Sequence, residues 1–203
     1  RKESSAASDV YKRQIKERDR KKVEVLIEKG ADLNLQDRQG WTPLFYATWI
    51  NDLNLLELLA EKGADLDIQD QKGWSPLYNV VLGNDIEAAE ILLSNGANPD
   101  IQEEEGRSPL SAAALASDLE TVELLLSYGA NVNIQDDGGA SPLVIAIINN
   151  GEAIVKKLLA CGANVELSIT GGFTPLFATL WTKNIEIVRE LLANGANPNA
   201  CSD

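Results

Sequence analysis

The feature that most constrains this chain is a 33-residue interval between glycine-alanine pairs along almost its whole length. The pairs begin at six glycines: Gly30, Gly63, Gly96, Gly129, Gly162 and Gly195. A second set of glycines keeps the same interval, and a Ser/Thr-Pro-Leu triplet starts two residues after each of them. This second set consists of Gly40, Gly73, Gly106, Gly139 and Gly172. A fixed period of this length predicts one small structural unit stacked on copies of itself.

Each unit has the sequence pattern of two short helices followed by a loop. The Ser or Thr of the triplet is typical of a helix N-cap, and the proline is typical of the first helical position. Small residues such as Ala47, Ala113 and Ala146 follow and allow close approach of neighbouring helices. After a polar break, the second helix carries apolar residues at helical spacing, and the glycine of the pair ends it in the left-handed conformation. One helix pair cannot bury its apolar face alone, so we predict an all-α solenoid with a continuous core.

The unit resembles the ankyrin repeat, which has the same period and a Thr-Pro-Leu-His-x-Ala signature. The resemblance implies stacked helix-turn-helix repeats joined by hairpin loops. It divides the chain into a partial repeat at 15–40, repeats at 41–73, 74–106, 107–139 and 140–172, and a truncated repeat at 173–203. The family's histidine is replaced in the five later repeats by Phe45, Tyr78, Ser111, Val144 and Phe177. We therefore expect apolar packing at this position and no histidine-linked change in stability near a pH of about 6.

The residue types present argue against catalysis and metal binding. The chain has no histidine, which is the commonest general base and the commonest metal ligand. Its two cysteines, Cys161 and Cys201, are too few for a disulfide scaffold and lack metal-ligand spacing. No glycine-rich phosphate loop lies between a strand and a helix. We predict no catalytic residue, no metal site and no cofactor, and we expect free thiols in a reducing, cytoplasmic location.

Charge is distributed unevenly along the chain. The net charge is −13, and ten of the 18 Lys and Arg residues lie within 1–29. From residue 30 onward there are eight basic and 25 acidic residues, a balance of −17. Such a surface repels phosphate groups, and no apolar run reaches the roughly 18–20 residues of a membrane helix. We predict neither a nucleic-acid partner nor a membrane partner, and we expect a monomer.

Both ends of the chain depart from the repeat pattern. Residues 1–14 precede the periodic region, and residues 4–14 resemble a translated sequencing-adapter read. We predict that 1–14 is a non-native, disordered tail; a basic arm that binds nucleic acid is the alternative. The last helix pair carries Phe177, Leu180, Ile187 and Leu191 without a polar outer face to cover them. We therefore expect this sequence to be a fragment followed by further repeats, and a degenerate natural end is the alternative.

Two positions of the repeat collect all four tryptophans. The loop column is the residue between the glycine and the Ser/Thr, and it contains Trp41, Trp74, Arg107, Ala140 and Phe173. The helix column is the residue seven places after the Ser/Thr, and it contains Trp49, Leu82, Leu115, Ile148 and Trp181. In the ankyrin family both positions face the concave groove and contact the partner. The resemblance thus implies partner-binding roles for all of these residues except Ala140; packing of both columns into the core is the alternative.

The resemblance implies that the chain binds a partner protein. We predict that an apolar or amphipathic segment lies along the two columns, and that Arg107 anchors a carboxylate of the partner. Acidic loop tips around Glu103, Glu104, Glu105 and Asp137 are first of all typical of a solvated surface; as part of a binding surface they would favour basic residues beside that segment. The alternative function is a structural spacer or regulatory segment that packs against other parts of a larger protein.

Overall fold

The computed structural model describes residues 20–200, and within that range it contains eleven α-helices and no β-strand. Helix α1 (Arg20–Glu28) precedes five helix pairs. The pairs are α2 (Pro43–Trp49) with α3 (Leu53–Glu61), α4 (Pro76–Leu82) with α5 (Ile86–Ser94), α6 (Pro109–Ala116) with α7 (Leu119–Ser127), α8 (Pro142–Ile148) with α9 (Glu152–Ala160), and α10 (Pro175–Thr182) with α11 (Ile185–Ala193). The predicted all-α repeat fold is confirmed. The predictions for residues 1–14 and Cys201 lie outside the described residues.

The helices belong to two compact units, the first ending at Glu103 and the second beginning at Glu104. In the first unit α2 packs on α4 and α3 packs on α5. In the second unit α6, α8 and α10 pack in that order, and α7, α9 and α11 do the same. The core of each unit lies between these two helix layers. The small residues Ala47, Ala113 and Ala146 are fully buried where helices meet, as the sequence predicts.

Side chains cap both helices of a pair. The backbone N–H of Phe45 donates to Thr42 Oγ1 at 3.1 Å, and the same bond recurs in the other four first helices. The second helices start at Asp52, Asp85, Asp118 and Asn184, whose side chains accept a backbone N–H of the first turn. Helix α9 is the exception because its N-cap residue is Gly151, which has no side chain.

The loops between repeats stack directly on one another within each unit. The backbone N–H of Gln71 donates to the Gln39 carbonyl at 3.0 Å, and Gln36 Nε2 donates to the carbonyls of Gly40 and Gln69, both at 2.9 Å. Gly40 has a φ of +81°, and a Cβ placed on it would lie 2.9 Å from Asp70 Cα. Glycine is therefore required there both by the left-handed backbone and by the close approach of the next loop.

The position of the missing histidine is filled mainly by packing. Phe45, Tyr78 and Val144 are buried, and Phe177 is partly buried. Ser111 is also buried, but it is polar and its hydroxyl bonds to Ser108 Oγ at 3.3 Å. Apolar packing therefore replaces the histidine in four repeats, and a hydroxyl pair replaces it in the third full repeat.

The last helix pair is better covered than we expected. Ile187 and Leu191 are fully buried, so the prediction that nothing covers them is wrong. They lie on the face of α11 that packs against α9 and α10. Leu180 and Ile185 remain exposed, at 63% and 62%.

Two glycine substitutions distinguish the cost of a strained backbone from the cost of steric overlap between stacked loops. Gly63 has a φ of +83° and nothing within 4 Å of a Cβ placed on it, so Gly63→Ala meets only the left-handed penalty of about 1–2 kcal/mol. Gly40→Ala meets the same penalty together with the backbone of Asp70. We expect Gly40→Ala to lower the free energy of unfolding by about 1–3 kcal/mol more than Gly63→Ala does. Urea unfolding followed by circular dichroism measures both, and equal losses would contradict loop stacking.

The uncapped start of α9 predicts a stabilising substitution. Gly151 has φ −82° and ψ 72°, close to the −99° and 86° of Asp85, and a Cβ on it meets only ordinary contacts. We expect Gly151→Asp to raise the free energy of unfolding by about 0.5–1 kcal/mol, because it adds a cap and removes a flexible residue. The reverse change at α7, Asp118→Gly, should lower it by a similar amount in the same denaturation assay. A loss of stability in Gly151→Asp would show that this cap does not form.

Candidate functional site

The helix column is exposed in every repeat. Its residues occupy the last or second-to-last position of the first helix in each pair. Their exposed fractions are 56% for Trp49, 45% for Leu82, 49% for Leu115, 46% for Ile148 and 54% for Trp181. Core side chains of the same helices, such as Leu44 and Leu143, have no exposed surface. The helix column is thus a surface feature, which is what contact with a partner requires; its role in binding stays a prediction.

The loop column is held by the main chain. The backbone N–H of Trp74 donates to Asp70 Oδ1 at 3.0 Å, and the Asp70 N–H donates back to the Trp74 carbonyl at 2.9 Å. Trp41 has the same pair of bonds with Asp37, and Ala140 has it with Asp136. All five loop-column side chains, including Arg107 and Phe173, are partly buried. The hairpin bonds therefore fix the backbone position from which the Trp41, Trp74 and Ala140 side chains extend.

The two columns meet in the first full repeat. The Trp41 ring lies 5.4 Å from the Trp49 ring, measured between centroids, and 5.1 Å from the Phe45 ring, on which it stacks. It also contacts Tyr46 edge-on at 5.0 Å. These separations and tilts are those that aromatic pairs prefer. One side of Trp41 is thus fixed by aromatic neighbours while Trp49 remains largely exposed.

Four predicted site residues line two concavities in the first unit. The Trp cavity has a volume of about 420 Å³ and is lined by Trp41, Trp49 and Trp74, among others. The second concavity, of about 340 Å³, shares Trp49 and Trp74 with it and adds Leu82. The structure therefore brings Trp41, Trp49, Trp74 and Leu82 together around two adjoining concavities.

In the second unit, an aromatic contact joins the two columns in the last repeat. The Phe173 ring lies 6.3 Å from the Trp181 ring and 4.6 Å from the Phe177 ring. Leu115 and Ile148 each contribute one exposed side chain. Arg107 Nη2 lies 2.6 Å from Glu105 Oε2, so this arginine already has an ion-pair partner in its own loop. A partner carboxylate would have to compete with Glu105.

The acidic loop tips are less extensive than we predicted. Glu103 is buried at 8% exposure and does not belong to a solvated acidic patch, so that assignment is wrong. It occupies the loop position filled by Asp37 and Asp70 in earlier repeats, which the sequence period shows in retrospect. Glu104 and Asp137 are exposed.

Sequence reasoning missed the polar residues of the Trp cavity. Trp41 Nε1 donates to Asp70 Oδ2 at 3.3 Å, and Lys72 Nζ lies 4.8 Å from the centroid of the Trp74 ring. Asn79 also lines the cavity and donates from Nδ2 to Thr48 Oγ1 at 3.1 Å. The sequence signal that could have identified these residues is their nearness to Trp74. Asp70 and Lys72 precede Trp74 in the same hairpin, and Asn79 follows it in α4.

Carboxylates elsewhere have structural roles. Lys157 Nζ bonds to Glu123 Oε1 at 3.0 Å and links α9 to α7, and this bond raises the pKa of Lys157 above its ordinary 10.5. A hydrogen bond to Glu152 likewise raises the pKa of Lys156. Because folding raises the pKa of these lysines, their ion pairs stabilise the folded protein at pH values below the ordinary lysine pKa. That stabilisation is lost as the pH rises through the higher pKa of the folded state. Within residues 20–200, no group of three or more Asp, Glu or Cys side chains is placed to hold a metal ion.

None of the helices in the part of the chain that the structure describes combines the length and the apolar character needed to cross a membrane.

Comparison with known families agrees with the repeat geometry. Sequence models of ankyrin repeats match residues 49–136, 77–169 and 131–201 as three-copy arrays, and another ankyrin model matches residues 12–60. No curated protein shows significant similarity to the chain. Because the matches cover nearly all of the sequence, the chain belongs to the ankyrin repeat family, and the resemblance is confirmed. Ankyrin repeats are generally protein-interaction modules, and the family is typically not enzymatic.

The exposure of the helix column predicts that two large-to-small substitutions in α2 differ in how much they lower the free energy of unfolding. Trp49 is 56% exposed, whereas Leu44 is fully buried. We expect Leu44→Ala to lower the free energy of unfolding by about 2–5 kcal/mol, because it leaves a cavity. Trp49→Ala should lower it by about 1 kcal/mol or less, since it removes mainly one aromatic contact. Equal losses in urea unfolding would mean that the helix column is part of the core.

Proposed function

We propose that this chain is a protein-interaction module that binds an apolar or amphipathic partner segment along its loop and helix columns. The observation that carries the proposal is the helix column, which is apolar in all five repeats and about half exposed in each. A single exposed leucine needs no explanation, but an apolar residue kept at one surface position of every repeat is typical of a recognition surface. Catalysis, metals and cofactors have no part in this proposal.

The tryptophans are the expected anchors of binding. Trp49 and Trp181 are the most exposed members of the helix column, and each touches an aromatic member of the loop column in its own repeat. A tryptophan buried at an interface removes about 200 Å² from water, and such residues are enriched among the side chains that dominate binding energy. Neighbouring aromatic contacts restrict these rings before binding, which lowers the entropy lost when a partner arrives.

The charge of the chain suggests which residues flank the partner's apolar segment. Residues 30–203 have a balance of −17, and exposed acids such as Glu104 and Asp137 lie at loop tips. We propose that basic residues flank the bound segment. Such charges mainly raise the association rate, and they are screened by salt. A nucleic-acid or membrane partner is not part of the proposal, and we expect the free protein to be a monomer in the cytoplasm.

One observation favours the alternative role as part of a larger protein. Leu180 and Ile185 are more than 60% exposed, and Leu192 is 43% exposed, all on the last helix pair. A further structural element packed on this pair would bury these three side chains. Such packing would make the chain a spacer or regulatory segment, and it is compatible with binding at the columns.

A peptide selection tests the proposed function. The full chain is presented to a displayed library of random 16-residue peptides, and binders are measured by fluorescence polarisation. We expect Trp49→Ala to weaken the peptides that bind the first unit, and Trp181→Ala to weaken those that bind the second unit, each by about tenfold or more. Tyr128→Ala is the matched control, because Tyr128 is also aromatic and 41% exposed but lies outside both columns.

The proposal fails if the selected peptides bind Trp49→Ala and Trp181→Ala as tightly as they bind the parent protein, or if Tyr128→Ala weakens them as much as the tryptophan changes do. Circular dichroism of each variant must first show the helical content of the parent protein. Selected peptides that lack apolar residues would also contradict it.

A further inference from the structure

We infer that the Trp cavity of the first unit binds the guanidinium group of an arginine on the partner segment. This inference rests on the proposed function and specifies one of the side chains that would be recognised. Three observations carry it: the aromatic walls, a carboxylate without a cationic partner, and a lysine of the chain itself that already lies against one wall.

The walls of the cavity are indole rings. Trp41, Trp49 and Trp74 all line it, and its volume of about 420 Å³ is ample for a single side chain. The face of a tryptophan carries negative electrostatic potential and attracts cations, more strongly than the faces of phenylalanine or tyrosine. A guanidinium group is planar and weakly hydrated, so it stacks on such a face with less loss of hydration than an ammonium group. The walls therefore favour arginine over lysine and over neutral side chains.

The carboxylate of Asp70 adds the charge. Its Oδ1 accepts the backbone N–H groups of Lys72 at 2.8 Å and Trp74 at 3.0 Å. Its Oδ2 accepts Trp41 Nε1 at 3.3 Å, which is a long bond. Within residues 20–200, no Lys or Arg side chain forms an ion pair with Asp70. A carboxylate has about four acceptor positions, so Oδ2 retains capacity for a guanidinium N–H.

Lys72 already places a cation against the indole wall. Its Nζ lies 4.8 Å from the centroid of Trp74, while the rest of the side chain is exposed. It is the one basic residue among those lining the Trp cavity and the concavity that contains Leu82. An arriving arginine would compete with it for the same face. Removing Lys72 should therefore strengthen arginine binding, which is the opposite of what a lysine that contacts the partner favourably would do.

The second unit supplies an internal control. Asp136 accepts the backbone N–H groups of Gly138 at 2.9 Å and Ala140 at 2.8 Å, as Asp70 does in its own hairpin. The loop-column residues of that repeat and of the preceding one are Ala140 and Arg107, and the helix-column residue is Ile148. None of these positions therefore places an indole beside the carboxylate. Asp136 thus makes the same backbone hydrogen bonds in its hairpin as Asp70 does, but without aromatic walls beside it.

The test titrates the full chain with N-acetyl-arginine methylamide and with the matching citrulline compound, which has the same shape but no charge. Indole N–H resonances of Trp41 and Trp74, assigned with single Trp→Phe variants, report occupancy. We expect saturable shifts with a dissociation constant at least about fivefold lower for the arginine compound. Lys72→Gln should lower that constant further by about twofold or more.

Asp70→Asn and Asp136→Asn form the matched pair of variants. Asparagine retains an Oδ1 acceptor for both backbone N–H groups, so the hairpin bonds persist. We expect Asp70→Asn to reduce the preference for arginine over citrulline to about twofold or less. Asp136→Asn should leave the preference unchanged.

Equal binding of the arginine and citrulline compounds, or an unchanged preference in Asp70→Asn, would overturn the inference. So would weaker arginine binding in Lys72→Gln. These outcomes are distinct from failure of the proposed function, which the selected peptides report separately. A peptide that binds Trp49→Ala more weakly than the parent protein, but binds Asp70→Asn as tightly, would support the interaction surface and contradict the arginine subsite.

Discussion

The contact between successive hairpin loops is the constraint on which each unit depends. Gly40 approaches the backbone of Asp70 so closely that even a methyl group at this position would overlap with it. Backbone bonds from loop to loop, such as Gln71 N–H to the Gln39 carbonyl, then fix the register between repeats. An insertion in one hairpin would break both the approach and the bonds. This stacking therefore explains why the interval between repeats is always 33 residues.

Most of the helical framework could be predicted from the sequence, because its determinants are local. The Ser/Thr-Pro triplets place the starts of the first helices, and the glycine-alanine pairs place the ends of the second helices at positive φ. Burial was harder to predict where it depends on neighbouring repeats. Glu103 looked like part of a charged run but is buried, and Ile187 looked uncovered but packs under α9 and α10.

The candidate site likewise contains residues that could be predicted from the sequence and residues that could not. The column pattern identified Trp41, Trp49, Trp74 and Leu82, because apolar residues at surface positions stand out once repeats are aligned. It did not identify Asp70, because an aspartate in a hairpin has a sufficient structural explanation and its contact with Trp41 spans 29 residues. Polar groups that serve both a turn and a cavity are visible only in three dimensions.

The main-chain bonds of the loop column have a consequence for how such a protein changes over generations. Trp41, Trp74 and Ala140 have very different side chains, yet their backbones make the same pair of bonds to an aspartate four residues earlier. Folding therefore places little demand on the identity of these side chains. Point substitutions can therefore change the chemistry of this surface while the scaffold remains intact.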